Sequence, residues 1–337
     1  MRLENISHKT HTTVSEKKQS FFIFLNISHM LRIWISTQGK VLPWITKWLQ
    51  DAGYPFAKFP RSNRLILPEE GIEFIWIKWF DQIKYLFERG KIEACIIGSD
   101  IVWEIQPQLT RIRINSLLDF EMWKARLSWL VLPTSTARIE DILTKYPNLT
   151  ASWLQSEEVV DFFRKIWVQI PDIIKVESQA DTIIGLWEPD KMACDIVETG
   201  DTARSMGLLI LDEEKDIKKL WTRFEPLPSI PCSVQLFWIE SMNGELEKVL
   251  WEFALRLKMV INGRKYVAIK YNVQKSKLEQ VLAITPENKS PTINETRSPD
   301  IVVVEILIPK YKEAKIMFGL LQAGATDIFS YDPRLVI

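Results

Sequence analysis

The stretch Asp195-Ile-Val-Glu-Thr-Gly-Asp-Thr-Ala-Arg-Ser-Met-Gly207 places two acidic residues just before a Thr-Gly-Asp-Thr turn, and an apolar run, Leu208-Leu-Ile-Leu211, follows closely. Gly200 lets the backbone of this turn approach an anion closely. The amides of such a turn can converge on a phosphate, and a helix that begins there adds its positive end. The alternative is an ordinary helix N-terminus with Asp201 or Thr202 as the cap.

The side chains of this turn are suited to a phosphorylated sugar. Thr199 and Thr202 offer hydroxyl donors, whereas Asp195 and Glu198 can accept hydrogen bonds from ribose hydroxyls or hold Mg²⁺ through water. The stretch therefore predicts a phosphosugar site at the start of a helix.

The composition of the chain excludes several classes of protein. A length of 337 residues with 47% hydrophobic content suggests two or three domains with real cores. Acidic and basic residues number 43 each, which argues against a surface that binds nucleic acid or membranes. The apolar run 21–25 is soon interrupted by polar residues and no cleavage site follows it, so we expect a cytosolic protein.

The distribution of histidine and cysteine narrows the chemistry further. The three histidines, His8, His11 and His29, all lie in the first 29 residues. This excludes Ser-His-Asp and Cys-His catalysis and His-ligated metals from the body of the chain. The three cysteines are far apart and form no CxxC pair, so we expect buried reduced thiols, with Cys194 as a small core residue.

Short strand-like runs alternate with helical patterns from residue 30 onwards, which indicates α/β sheets with crossovers. We expect a first lobe at 30–133 that is completed by about 216–260, and a second lobe with the phosphosugar loop at 134–215. The order β-α-β-β-α-β over 261–337 is typical of a ferredoxin-like module. Residues 1–29 are interpreted as an extension that is disordered or mis-started.

Three helical patterns carry most of this interpretation. Residues 42–51 and 151–167 show apolar residues at helical spacing, and residues 233–257 are expected to form a helical connector. The runs expected to form strands are 33–35, 64–67, 73–77, 94–97, 127–132, 173–176, 195–197, 266–270, 301–308 and 326–331.

Six segments, in this order along the chain, resemble the ATP phosphoribosyltransferase family, whose members catalyse the first reaction of histidine biosynthesis. The resemblance covers about residues 30–337. The segments are Leu31-Arg-Ile-Trp-Ile-Ser-Thr-Gln-Gly-Lys40, Asp51-Ala-Gly-Tyr54, Gly90-Lys-Ile-Glu-Ala-Cys-Ile-Ile-Gly-Ser-Asp100, Thr144-Lys-Tyr-Pro-Asn-Leu-Thr150, Asp195-Ile-Val-Glu-Thr-Gly-Asp-Thr202 and Leu320-Leu-Gln-Ala-Gly-Ala-Thr-Asp-Ile328.

The resemblance implies a fold and an activity. The family transfers ribose 5-phosphate from 5-phosphoribosyl 1-pyrophosphate (PRPP) to N1 of ATP and releases pyrophosphate, with Mg²⁺ as cofactor. Its catalytic part is two α/β lobes resembling periplasmic-binding-protein lobes, with a cleft between them. In the long form of the family, a C-terminal ferredoxin-like domain binds histidine as feedback inhibitor; an oligomerisation module is the alternative interpretation.

The resemblance also implies roles for individual residues. The PRPP-binding set is Asp195, Glu198, Thr199, Gly200, Asp201 and Thr202. The ATP-binding set is Gln38, Gly39 and Tyr146, and the catalytic set is Lys40, Arg64 and Asp181. No resident metal ligand is expected, since Mg²⁺ would be held by the substrate phosphates and by Asp195 or Glu198. For Arg64 a solvated surface arginine, and for Tyr146 a core or turn aromatic, remain open.

The chain also departs from the family pattern. A usual Gly-Arg turn is replaced by Gln38-Gly39-Lys40, and the family's Gly-Ser-Val-Glu and Gly-Leu-Ala-Asp positions align with 178–181 and 187–190. These changes leave open a second hypothesis, a non-catalytic paralogue that acts as a regulatory subunit or as a nucleotide- or phosphosugar-binding protein.

Family members of this length form dimers that assemble into hexamers, and we expect this chain to do likewise. Light scattering on the purified protein should give the mass of a dimer or a larger assembly. A stable monomer at working concentrations would contradict the expectation.

Overall fold

Runs rich in β-branched and aromatic residues form the strands of this chain, as their β-propensity leads one to expect. The computed structural model describes residues 30–37, 41–56, 63–76, 82–134, 139–166, 170–177, 190–220, 226–285 and 291–337. The predicted extension 1–29 lies outside these residues. The strands are β1 (Leu31–Ile35), β2 (Arg64–Leu67), β3 (Ile72–Ile75), β4 (Ala94–Gly98), β5 (Ile114–Asp119), β6 (Ala125–Val131), β7 (Asp141–Thr144), β8 (Asp172–Lys175), β9 (Lys191–Val197), β10 (Leu209–Ile210), β11 (Ile230–Cys232), β12 (Val234–Ile239), β13 (Tyr266–Gln274), β14 (Thr292–Glu295), β15 (Ile301–Pro309) and β16 (Thr326–Tyr331).

Helices separate most of these strands and cover the sheets. The α-helices are α1 (Val41–Asp51), α2 (Ile83–Glu88), α3 (Ser99–Ile105), α4 (Pro147–Leu154), α5 (Glu157–Ile166), α6 (Asp201–Ser205), α7 (Glu214–Leu220), α8 (Gly244–Lys265), α9 (Leu278–Leu282) and α10 (Glu313–Gln322). Among the described residues, no helix is long and apolar enough to cross a membrane.

The described residues fall into two compact units. The first takes those of 1–39 and 60–250, and the second those of 40–59 and 251–337. The first unit contains two mixed sheets, with strand orders β2-β3-β1-β4-β12-β5 and β10-β6-β9-β7-β8. In the first sheet β1 runs parallel to β3 and β4, and in the second β7 runs parallel to β8 and β9. Such parallel pairs require crossovers, which the helices supply.

The second sheet is built around the antiparallel pair of β6 and β9. Their register joins Leu127 to Ile196 and Trp129 to Cys194. β10 and β11 both pair with β6, and Leu211 N–H also donates to the Trp129 carbonyl. The β9 strand that leads into the predicted phosphosugar loop is therefore an interior strand, held on both sides.

The second unit contains the sheet β14-β15-β13-β16, with every pair antiparallel. Along the chain its elements are β13, α9, β14, β15, α10 and β16, so the predicted βαββαβ order is confirmed. One face of the sheet packs on the helices through buried residues such as Ile269, Val304 and Leu320. Together with the two mixed sheets, this confirms the predicted fold class; the exact lobe boundaries stay predictions.

The prediction of a continuous helix over residues 233–257 is wrong. Val234–Ile239 is strand β12, which lies antiparallel between β4 and β5, and the helix begins only at Gly244. Its pairing partner is distant in sequence; Ser116 donates to Gln235 across 119 residues, at 2.7 Å. A local pattern carries no information about such a partner, so tertiary pairing overrides it.

The helix predicted over 151–167 is also interrupted. It is divided into α4 and α5, which are separated by Gln155 and Ser156, and α4 begins earlier, at Pro147. Proline is favoured in the first turn of a helix because that position needs no backbone N–H. By contrast, helix 42–51 and strands 64–67, 94–97 and 326–331 agree with the prediction within one residue.

Aromatic stacking fills the core of the second sheet. Trp129 is fully buried; its ring stacks on Trp153 at 4.5 Å between centroids, and it meets Phe163 edge-on at 5.5 Å. The three cysteines are buried free thiols, and burial raises the pKa of each. Cys194 lies in the same core cluster, in line with the prediction.

Replacing Trp129 with Ala should remove this stacking and leave a cavity. We expect a loss of about 3–5 kcal/mol in the free energy of unfolding, measured by urea denaturation followed by circular dichroism. Trp44, which is 48% exposed, provides the matched control. A Trp129→Ala variant no less stable than Trp44→Ala would contradict the assigned core.

Candidate functional site

The turn after β9 has the backbone that the sequence predicted. β9 ends at Val197, and Gly200 has φ of 80°, in the left-handed region, directly before α6. A Cβ atom at Gly200 would lie 2.5 Å from the Ile210 side chain and 3.0 Å from the Arg204 guanidinium. The left-handed backbone therefore favours glycine here, and a larger residue would also require the Ile210 and Arg204 side chains to shift.

The residues of the turn are largely open to solvent. Glu198, Thr199, Asp201 and Thr202 are exposed, whereas Gly200 is buried. The Thr199 hydroxyl donates to the Asp201 carboxylate at 2.7 Å and accepts from the Asp201 N–H at 3.3 Å. Neither Asp201 nor Thr202 caps the helix; the cap position belongs to Gly200, with no side-chain cap bond.

The turn offers backbone amides to an anion. Within the described part of the chain, no acceptor receives a hydrogen bond from the N–H of Gly200 or of Thr202. Helix α6 has only five residues, so its dipole is small and the individual amides matter more than the helix as a whole.

A buried carboxylate that the sequence analysis did not single out lies in the first unit. Asp100, in the first turn of α3, is 3% exposed, and its Oδ1 has no partner among the described residues. Burial raises the pKa of Asp100 to about 6, and interactions with the Tyr146 phenol and nearby amides offset only part of this rise. A buried carboxylate with one oxygen that lacks a partner is costly, and such groups are typical of functional sites.

Tyr146 joins Asp100 to the strand that carries the turn. Burial is the main reason that the pKa of Tyr146 is raised, and the negative charges of Asp100 and Asp195 add to it. Its ring packs against the core of the second sheet. Asp100 from α3, Tyr146 before α4 and Asp195 on β9 are therefore close enough to interact electrostatically, and we call these three residues the acidic cluster.

A second carboxylate on α3 fixes α4 from outside. Glu104 Oε1 accepts from the Asn148 N–H at 3.2 Å and from its side-chain amide at 2.8 Å, and Oε2 accepts from the Leu149 N–H at 2.9 Å. Tyr146 occupies the N-cap of α4 without a side-chain cap bond. Glu104 thus satisfies amides that α4 cannot satisfy itself. Burial raises the pKa of Glu104, although these bonds oppose the rise.

The structure gives Arg64 an ion pair rather than an open guanidinium. Its Nε donates to Glu73 across the β2–β3 pair; the Arg64 side chain is 56% exposed, and the Glu73 side chain is buried. Hydrogen bonding to Glu73 is the main cause of the raised pKa of Arg64. Gln38, Gly39, Lys40 and Asp181 lie outside the described residues.

Asp100, Glu104 and the guanidinium of Arg204 are functional candidates that the sequence did not predict. The segment that ends in Gly98-Ser-Asp100 carries part of the family resemblance, and the four-residue spacing of Asp100 and Glu104 predicts that they share one face of a helix. Their partners belong to other elements and were not predictable. Among the described residues, no group of three or more His, Cys, Asp or Glu residues is arranged to hold a metal ion.

Comparison with known proteins shows which family this chain resembles. A profile of the ATP phosphoribosyltransferase family matches residues 81–219, and a profile of the HisG C-terminal domain matches residues 263–332. The ATP phosphoribosyltransferase of Micrococcus luteus is 26% identical over 305 residues, which cover 89% of this chain and 96% of the relative. That of Corynebacterium jeikeium is 24% identical over 311 residues, 91% of this chain and 99% of the relative.

A solved structure shows the same fold. A chain of the ATP phosphoribosyl transferase (HisG:HisZ) complex from Thermotoga maritima superposes with a TM-score of 0.50 at 18% identity and covers 70% of this chain and 99% of that chain. The first profile spans the acidic cluster and the turn after β9, and the second spans the βαββαβ sheet. This chain therefore belongs to the ATP phosphoribosyltransferase family.

Proposed function

We propose that this chain is an ATP phosphoribosyltransferase, which joins ATP and PRPP to give phosphoribosyl-ATP and pyrophosphate in the first step of histidine biosynthesis. The observation that carries the proposal is the family match across residues 81–219. This range contains the acidic cluster and the exposed turn, whose Gly200 and Thr202 amides have no acceptor among the described residues. As a biosynthetic enzyme of this family, it is expected to work in the cytoplasm.

In this proposal the turn after β9 holds the 5-phosphate of PRPP. The N–H groups of Gly200 and Thr202 and the hydroxyls of Thr199 and Thr202 would donate to phosphoryl oxygens. To do so, the Thr199 hydroxyl would give up its bond to Asp201, whose carboxylate is exposed and can turn towards solvent or a ribose hydroxyl. Anion binding here would depend on hydrogen bonds that are already oriented.

Asp195 and Glu198 are assigned to the ribose side of the substrate. Both are hard oxygen donors at the end of β9, one partly buried and one exposed, which suits ribose hydroxyls and hydrated Mg²⁺ alike. When bound with the substrate, Mg²⁺ would neutralise charge on the departing pyrophosphate. Transfer proceeds through an oxocarbenium-like sugar, so the residues act chiefly by orienting the two reactants.

We assign ATP binding to Gln38, Gly39 and Tyr146. Catalysis is assigned to Lys40, Arg64 and Asp181. Tyr146 is supported by its place in the acidic cluster, where Asp100 and Asp195 offer acceptors to a nucleotide. Arg64 would act from its pair with Glu73, which holds the side chain on β2. The proposal also includes feedback inhibition by histidine bound to the C-terminal domain, and assembly of the chain into dimers and hexamers.

Turnover of ATP and PRPP with Mg²⁺ tests the proposal directly. Phosphoribosyl-ATP should form when pyrophosphatase removes the other product, and histidine should inhibit its formation. A folded protein that binds PRPP but forms no product would instead be the non-catalytic paralogue. A protein that neither binds PRPP nor forms product would contradict both functions.

Replacing Thr199 and Thr202 together with Ala should weaken PRPP binding without unfolding the protein. Loss of two hydroxyl donors, each worth about 1 kcal/mol, predicts a dissociation constant raised roughly tenfold or more, measured by calorimetry. The matched control is Thr292→Ala with Thr326→Ala, two exposed threonines on β14 and β16. Unchanged PRPP affinity in the first variant would mean that the phosphate lies elsewhere.

The buried carboxyl of Asp100 should make stability depend on pH. Its pKa is raised from 3.8 to about 6 on folding, so the folded state keeps this proton to higher pH and loses stability as the pH rises through about 6. Asp100→Asn removes the ionisation, so its stability relative to the parent should be more favourable at pH 7.5 than at pH 4.5 by about 2 kcal/mol. Equal differences in urea unfolding at the two pH values would contradict the assignment.

A further inference from the structure

The guanidinium of Arg204 links the turn after β9 to a partly exposed network of ion pairs. Arg204 Nη1 donates to the Thr199 carbonyl at 2.8 Å, and Nη2 donates to both carboxylate oxygens of Glu213 at 2.6 and 2.7 Å. The Arg204 side chain is one-third exposed. The guanidinium therefore holds the turn through the carbonyl oxygen of Thr199.

Glu213 is itself held from two further directions. Arg126 on β6 donates to Glu213 Oε1 at 2.9 Å, and Lys215 at the start of α7 lies 3.0 Å from Oε2. Burial is the largest single influence on the pKa of Glu213 and opposes ionisation, but hydrogen bonds from Arg204 and Lys215 together lower the pKa below its ordinary value. Asp212 also pairs with Arg126, which completes the network.

The bond to the Thr199 carbonyl determines where the next amide points. In a trans peptide the carbonyl and the following N–H point in opposite directions, and no cis peptide occurs in the described residues. With the Thr199 oxygen turned towards Arg204, the Gly200 N–H is directed to the other side of the peptide, where it has no acceptor among the described residues.

The orientation of the Thr199–Gly200 peptide must be fixed by contacts, because glycine restricts the backbone dihedral angles very little. Gly200 has a wide choice of backbone conformations, so rotation of the Thr199–Gly200 peptide is opposed mainly by its contacts. The reversed peptide would present a carbonyl oxygen to the anion instead of an N–H, which replaces attraction with repulsion. The hydrogen bond from Arg204 to the Thr199 carbonyl therefore favours the peptide orientation that attracts phosphate over the one that repels it.

We infer that Arg204, held by Glu213, is a positioning residue for PRPP, because it keeps the Gly200 N–H directed at the 5-phosphate without touching the substrate. The inference rests on the proposed function of the turn as the phosphate site. The competing role, in which Arg204 leaves Glu213 and binds the phosphate itself, predicts the opposite behaviour of Glu213 variants.

Kinetics separate these two roles. With Arg204→Ala, we expect the KM for PRPP to rise about tenfold, the effect of one lost hydrogen bond to a charged group, while the KM for ATP changes less than twofold. Glu213→Gln should raise the KM for PRPP in the same direction, and the double variant should be no worse than Arg204→Ala, since both act through one contact. Arg204→Lys should recover part of the loss.

The behaviour of Glu213→Gln can overturn the inference. If Glu213→Gln frees Arg204 and leaves PRPP binding unchanged or tighter, Arg204 is a direct ligand and not a positioning residue. Arg256→Ala is the matched control, because it removes an arginine that pairs with a glutamate at 2.6 Å on α8, and it should leave the KM for PRPP unchanged.

The Gly200 amide can also be observed directly, without turnover. The chain contains one Thr-Gly dipeptide among its 12 glycines, so labelling threonine with carbonyl ¹³C and glycine with ¹⁵N selects the Gly200 N–H alone in an NMR spectrum. In the parent protein, inorganic phosphate should shift this signal to lower field. In Arg204→Ala the signal should broaden or divide, and the shift should be lost.

The two measurements keep the two proposals distinct. A phosphate-dependent Gly200 signal that requires Arg204, in a protein without turnover of ATP and PRPP, would sustain the positioning role and remove the proposed function. Normal turnover with a Gly200 signal that is identical in the parent and Arg204→Ala would do the reverse and overturn the positioning role.

Discussion

The carboxylate of Glu104 is the contact on which the arrangement of the site depends. It reaches from α3, which follows a strand of the first sheet, to the first amides of α4, which follows a strand of the second. The amides at a helix N-terminus have no partner within the helix, and a negative charge there is also favoured by the helix dipole. The Glu104 side chain thereby fixes the position of α4 relative to α3.

The acidic cluster depends on this contact between Glu104 and α4. Asp100 is one turn before Glu104 on α3, and Tyr146 is the residue directly before α4, so the contact that joins the helices also brings these two side chains together. The charge of Asp195 also acts on Tyr146, and Asp195 lies on β9, whose position depends on its pairing with β6 and β7. The raised pKa values of Asp100 and Tyr146 are consequences of burial at this junction.

Local pattern was sufficient for much of the fold, and it failed where a distant partner decided the outcome. Helix 42–51 and strand 326–331 have periodicities that match their structures, and the turn at Gly200 was correctly placed. The helix predicted at strand β12 is wrong because the two strands that pair with β12 lie far upstream in the chain. The break between α4 and α5 was missed because the apolar spacing continues through it.

The amino-acid sequence by itself determined the left-handed turn at Gly200, the class of chemistry available to a chain body without histidine, and the βαββαβ order of the C-terminal sheet. These features depend on residue type and on neighbours a few positions away. Only the tertiary structure decided that Asp100 is buried with one oxygen that has no partner among the described residues, that Glu104 caps another helix, and that Arg204 donates to the Thr199 carbonyl. Those features depend on burial and on contacts between separate elements, because the electrostatic environment of a side chain is set by what folding places around it.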